Sequence, residues 1–217
     1  MRRVKICGLT SVDDARLCHE AGADLLGVIL ARSPRCVDPL QAEAIRRAVP
    51  TARLVGVVRD GPAAMIALQT KVAGVDVVQL HGCADPRRWA AVAEACGKPV
   101  LPAVTADQAS DAMTAAASMP CLPLEGLLLD LPKSGRHEAL GGRSGLWAAA
   151  RQGLEMGLPV MLAGSLFAAD LPAVRREVGA CDLDVCRGTE QRPGVKNPDL
   201  VRGFLAAARI QEVDHAS

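Results

Sequence analysis

The sequence predicts a (β/α)8 barrel, on three observations. Short apolar runs rich in Val, Ile and Leu recur eight times along the chain. Each is followed by an alanine-rich segment with helical spacing. The runs are continuously apolar rather than alternating, which is the pattern of strands covered on both faces in a parallel sheet. Eight strand–helix units close into a barrel, and a doubly wound open sheet is the other arrangement of the same alternation. No linker, charge block or low-complexity tract divides the chain, so one domain is expected over residues 1–217.

Taken in order, the strands are expected at residues 4–7, 25–30, 54–58, 75–80, 100–104, 127–130, 160–162 and 183–186. The helices are expected at 13–21, 41–48, 63–72, 87–96, 108–117, 146–156, 171–178 and 198–208. The first helix opens on Thr10-Ser11-Val12-Asp13-Asp14, a hydroxyl cap followed by first-turn carboxylates. Pro39, Pro62, Pro86 and Pro198 stand at helix starts, where a missing N–H costs nothing. Gly22, Gly74 and Gly97 fall just after helices, where a left-handed residue ends the spiral. Helix-to-strand links are short, whereas the strand-to-helix loops after strands 2, 6 and 8 are long and chemically unusual. That asymmetry places function at the carboxyl ends of the strands.

Composition narrows the function classes. Aromatic residues are 2% of the chain, too few for a platform that stacks nucleic acid bases. With 25 basic and 24 acidic residues the net charge is +1, so no broad surface attracts nucleic acid or an anionic membrane. Any anion site is therefore local. The apolar run from Ala23 to Ala31 contains Asp24 and is far shorter than a membrane span. Met1-Arg2-Arg3 runs straight into the first strand, so no secretory leader is expected, and none of the eight cysteines has zinc-site spacing. Reduced thiols in a cytoplasmic protein are expected, mostly packed as small hydrophobes.

Two strands end on reactive side chains. Cys7 closes the first, with Lys5 two residues earlier on the same side of the strand. An ammonium there would lower the thiol's pKa and favour thiolate. Asp130 closes the sixth strand after Leu127-Leu128-Leu129, as a loop cap or a functional acid whose apolar flanks favour the protonated form. Considered singly, Cys7 is also readable as a packed structural thiol. Three glycine loops follow strands 6, 7 and 8: Gly141-Gly142-Arg143-Ser144-Gly145, Ala163-Gly164-Ser165 and Cys186-Arg187-Gly188-Thr189-Glu190. Consecutive loops of this kind at a barrel's last strands suit a phosphate group, which free backbone N–H groups receive. Arg35, in Ser33-Pro34-Arg35, is a candidate fork for a substrate carboxylate or a solvated loop residue. Gln79 and His81 share one side of the fourth strand and bring polar groups to the barrel top, where they need a partner or a ligand.

Together these stretches resemble the phosphoribosylanthranilate isomerase family. Lys5-Ile6-Cys7-Gly8-Leu9-Thr10, Ser33-Pro34-Arg35, Val78-Gln79-Leu80-His81-Gly82, Leu128-Leu129-Asp130, Leu162-Ala163-Gly164 and Pro193-Gly194-Val195-Lys196 stand in family order over nearly the whole chain. The resemblance implies an aldose–ketose isomerase of tryptophan biosynthesis that performs an Amadori rearrangement. Asp130 would be its general acid and Cys7 its general base. Lys5, Arg35, Gln79, His81, Gly142, Gly145, Gly164, Ser165, Arg187 and Gly188 would bind a small phosphorylated substrate. No metal or organic cofactor, nucleic acid or membrane partner is implied, and the chain is expected as a monomer or homodimer. Departures cluster in the anchoring loops: an extra residue and no Asp in Gly141-Gly142-Arg143-Ser144-Gly145-Leu146-Trp147, Ser165 for the second glycine after strand 7, and Cys186-Arg187-Gly188-Thr189-Glu190 where the family has Ser-Ser-Gly-Val-Glu. A divergent paralogue acting on a related phosphorylated amino sugar, or a non-catalytic phospho-ligand-binding barrel, are the competing readings.

Overall fold

A computed structural model describes residues 3–131 and 142–210. Eight parallel strands close on themselves in sequence order: β1 (Val4–Ile6), β2 (Leu25–Ile29), β3 (Arg53–Val58), β4 (Val77–His81), β5 (Val100–Thr105), β6 (Leu127–Asp130), β7 (Val160–Leu162) and β8 (Asp182–Val185). Between and after them run α1 (Val12–Glu20), α2 (Pro39–Ala48), α3 (Ala63–Val72), α4 (Pro86–Cys96), α5 (Ala109–Ser118), α6 (Gly142–Glu155), α7 (Leu171–Glu177) and α8 (Pro198–Arg209). The closed ring decides for the barrel over the open sheet. Its seam joins the ends of the sequence, with Val4, Lys5 and Ile6 opposite Leu183, Asp184 and Val185. No helix of the described residues is long and apolar enough to cross a membrane.

Local chemistry sets the helix starts. Ser11 accepts from the Asp14 amide, Asp38 from Gln41, Asp85 from Arg87, and Asn197 from both Asp199 and Leu200. Such caps are typically worth ~1 kcal/mol each. Pro39, Pro86 and Pro198 occupy first helical positions, whereas Pro62 sits one place earlier, as the cap of α3. Gly22, Gly74 and Gly97 all have positive φ.

The core has two layers. Inside the barrel, Leu25, Val55, Val77, Leu101, Ala103, Leu128, Met161 and Ala163 pack together. The larger layer fills the space between strands and helices and includes Ile6, Leu54, Trp89, Leu129 and Phe204. At the amino end of the strands, Arg3 and Arg53 both pair with buried Glu125, which ties the barrel floor.

Four details differ from expectation. α6 begins at Gly142 rather than at 146, so Gly142 and Gly145, expected in the loop before it, lie inside the helix. The chain between β8 and α8 contains an antiparallel pair, β9 (Glu190–Arg192) and β10 (Val195–Lys196), where a plain loop was expected. Short 3₁₀ turns stand at Ala106–Gln108 before α5, at Ala168–Asp170 before α7 and at Arg187–Thr189 after β8. All eight cysteines are free, but only Cys7, Cys18 and Cys181 are buried, and Cys36 and Cys121 are exposed, so fewer are packed than expected. Gly141 lies outside the described residues.

Candidate active site

A cavity of about 450 Å³ opens at the carboxyl ends of the strands. Eight residues singled out from the sequence line it: Cys7, Arg35, Gln79, His81, Asp130, Gly164, Ser165 and Arg187. Lys5, Gly142, Gly145 and Gly188 lie outside its wall. Cys7 follows β1 and Asp130 ends β6, so the thiol and the carboxyl reach the same space from separate staves of the barrel. Asp130 accepts the Leu131 amide at 2.8 Å, a one-residue turn that fixes the carboxyl at the strand end.

Beneath Cys7, Lys5 is wholly buried and donates to Asp184 at 2.8 Å. Burial alone would lower the pKa of this lysine, but Asp184 and Cys7 outweigh it and hold the ammonium charged. Gly27 of β2 makes the arrangement possible. A Cβ there would stand 3.0 Å from the Cys7 Cα, the Cys7 Sγ and the Lys5 Nζ. The expected low thiol pKa is not found. Burial raises the Cys7 pKa more than Lys5 lowers it, and the Asp184 carboxylate raises it further. The ammonium is present as expected, but its charge is shared with Asp184, a partner that only barrel closure brings near.

Lys196, buried on β10, donates to the Cys7 carbonyl at 2.7 Å, to Cys186 O at 3.2 Å and to Thr189 Oγ1 at 3.2 Å. It fixes the backbone under the thiol. Arg35 is held by a two-pronged bond to Glu190, Nε to Oε1 at 2.7 Å and Nη2 to Oε2 at 2.6 Å. Burial would raise the Glu190 pKa, yet Arg35, Lys196 and the Gly194 amide together push it below the ordinary value. Cys186 lies beside this pair with its thiol pushed up to about 12, chiefly by burial. Gln79 is almost wholly buried, and its Oε1 has no hydrogen-bond partner among the described residues. An orphaned buried acceptor costs about 1–3 kcal/mol unless a ligand supplies the donor.

The far end of the cavity is built from the loops after β7 and β8. Gly164 has φ +93° and Ser165 has φ +58°, a left-handed conformation that favours glycine. Arg187 donates to the Ser165 hydroxyl. The amide hydrogens of Gly164 and Ser165 find no acceptor among the described residues. At Gly188 a Cβ would overlap the Leu166 carbonyl oxygen, so only glycine lets the loops after β7 and β8 approach this closely.

Asp184, Glu190 and Lys196 were not singled out from the sequence as site residues. Asp184 carried a usable signal: a carboxylate inside an apolar strand, two residues before Cys186 and therefore on its side. The positions of Glu190 and Lys196 depend on the β9–β10 pair, which is too short and polar to announce itself.

Residues 4–207 match the family model for N-(5'-phosphoribosyl)anthranilate (PRA) isomerase. Among curated relatives, N-(5'-phosphoribosyl)anthranilate isomerase of Rhodospirillum centenum is 39% identical over 211 residues, covering 95% of this chain and 97% of the relative. The enzyme of Rhodopseudomonas palustris is 34% identical over 218 residues, covering 96% of both. Among solved structures, phosphoribosyl anthranilate isomerase of Thermus thermophilus superposes with a TM-score of 0.77 at 34% identity, covering 94% of this chain and 97% of that one. Another phosphoribosyl anthranilate isomerase, with a TM-score of 0.74 at 27% identity over 96% of this chain and 98% of its own, was solved in complex with reduced 1-(o-carboxyphenylamino)-1-deoxyribulose 5-phosphate. The match in sequence and in fold runs nearly end to end, and the chain belongs to the N-(5'-phosphoribosyl)anthranilate isomerase family.

Proposed function

We propose that the protein converts N-(5'-phosphoribosyl)anthranilate to 1-(2-carboxyphenylamino)-1-deoxyribulose 5-phosphate, an Amadori rearrangement of tryptophan biosynthesis. The observation that carries the reading is Cys7 and Asp130 in one cavity, reaching it from β1 and β6. The protonated Asp130 carboxyl donates to the furanose ring oxygen. The C1′–O bond breaks as the anthranilate nitrogen's lone pair moves in, leaving a protonated Schiff base. The Cys7 thiolate then takes the C2′ proton, and that electron pair forms the C1′=C2′ bond of a neutral enolamine. Loss of the C2′ hydroxyl proton and gain of one at C1′ give the ketone. No metal or organic cofactor is needed for these steps.

The remaining lining residues have roles matched to their chemistry. Arg35, locked by Glu190, turns its remaining N–H groups to the anthranilate carboxylate. The orphaned Gln79 Oε1 accepts from a sugar hydroxyl, with His81 beside it. Arg187 and the amide hydrogens of Gly164 and Ser165 receive the phosphate. The test is loss of substrate fluorescence on adding protein, beside Cys7→Ser and Asp130→Asn. Turnover by the parent and a loss of at least about a hundredfold in each variant is the expected result. No turnover by the parent, with inorganic phosphate still bound, would move the reading to a phospho-ligand-binding barrel.

A further inference from the structure

Ser165 is where the start of α6 meets the loops after β7 and β8. Its hydroxyl accepts from Arg187, which follows β8, and its carbonyl accepts from Arg143 Nη2 at 2.8 Å. Arg143 enters from the start of α6, and its Nη1 also pairs with Asp170 at 2.6 Å. The second oxygen of Asp170 accepts the Phe167 amide at 2.8 Å, so one carboxylate ties the loop to itself and to Arg143. Ser165 is the sole non-glycine residue with positive φ among the described residues.

We propose that Arg143 is a positioning residue for the substrate's phosphate: it holds Ser165 in a left-handed conformation so that the loop's amide hydrogens stay turned to the anion. The inference rests on the reading of this loop as the phosphate-binding end. Arg143 does not act as a ligand itself. It lies outside the cavity wall, and its two terminal nitrogens are engaged by Asp170 and the Ser165 carbonyl. Arg187, by contrast, lines the cavity and supplies charge directly. A serine in this conformation relaxes toward ordinary backbone angles unless its surroundings over-determine it. Arg143 and Asp170 provide that restraint on the carbonyl side. With glycine at the position the restraint would be unnecessary, since glycine populates positive φ freely.

The test is a double-mutant cycle of Arg143→Ala and Ser165→Gly, read by kcat and KM for phosphoribosyl anthranilate and by calorimetric titration with inorganic phosphate. In the serine background, Arg143→Ala should raise KM and weaken phosphate binding about tenfold, the scale of one relaxed left-handed residue, with kcat within about threefold. In the Ser165→Gly background the same change should cost less than about threefold. Asp170→Asn should reproduce part of the loss, which keeps the test open if Arg143→Ala does not fold. Unchanged phosphate binding in Arg143→Ala, or an equal loss in both backgrounds, would overturn the inference. Phosphate binding by the parent without turnover would sink the proposed reaction alone, whereas no phosphate binding by the parent would sink the positioning role.

Discussion

Lys5 and Asp184 are direct partners across the seam where β1 meets β8, 2.8 Å apart, with Lys5 inaccessible to water. Removing one member leaves the other charge buried and alone. Lys5→Met is expected to lower the unfolding free energy by about 3–5 kcal/mol, measured by urea titration. The double change Lys5→Met with Asp184→Leu should recover most of that loss, because a matched apolar pair no longer carries a charge into the barrel.

The pH dependence follows from the Cys7 environment. Burial and Asp184 hold the thiol protonated beyond its ordinary range, with Lys5 opposing them. As the proposed base, Cys7 must first lose a proton, so kcat/KM should climb through the alkaline range along the limb belonging to it. Asp184→Asn removes a charge that raises the Cys7 pKa, so it should shift that limb toward lower pH. Alkylation of Cys7 against pH, followed by mass spectrometry, reads the same ionisation without turnover. A limb that stays in place in Asp184→Asn would contradict the assignment.

Stability should fall at high pH for a related reason. Burial pushes the thiols of Cys18 and Cys186 up to about 12. The unfolded chain releases these protons near pH ~8.5, the folded chain only much higher. Their contribution is complete below the unfolded value and declines as pH rises toward the folded one, at up to about 1.4 kcal/mol per pH unit for each thiol. Cys18→Ala should flatten the decline between neutral pH and pH ~10, whatever it does to the absolute midpoint. Chemical denaturation across that window checks the slope.

Gly27→Ala tests how closely the site is fitted. The added carbon would press on the Cys7 backbone, its sulfur and the Lys5 ammonium at once. A shift of Cys7, the proposed base, by a fraction of an ångström should cut kcat at least about tenfold, with a stability loss of about 1–3 kcal/mol. A variant with parental kcat would mean that the position of Cys7 is not critical.

The fold was legible because it is written in repeats. Eight apolar runs, prolines at helix starts and glycines after helix ends each report local backbone preferences, and these survive without knowledge of the closed ring. Of the eight lining residues, all but the loop residue Arg35 were legible from their places near strand ends. What escaped was everything that depends on the seam. The ionisation of Cys7 turns on Asp184, far away in sequence, and the anchoring of Arg35 turns on Glu190 at the start of a polar hairpin. Ser165 was visible as a departure from glycine, but its left-handed backbone and the arginines converging on it were not.

The bond from the Lys196 ammonium to the Cys7 carbonyl spans 189 positions of chain. Contacts of such sequence separation form late, since the intervening polymer must first be brought to order. During synthesis the first strand emerges long before the lysine that will support it. A nascent chain halted before β10 would carry both Cys7 and Asp130 and still lack this support, so competence should arrive abruptly, with the last strands, rather than accumulate with length.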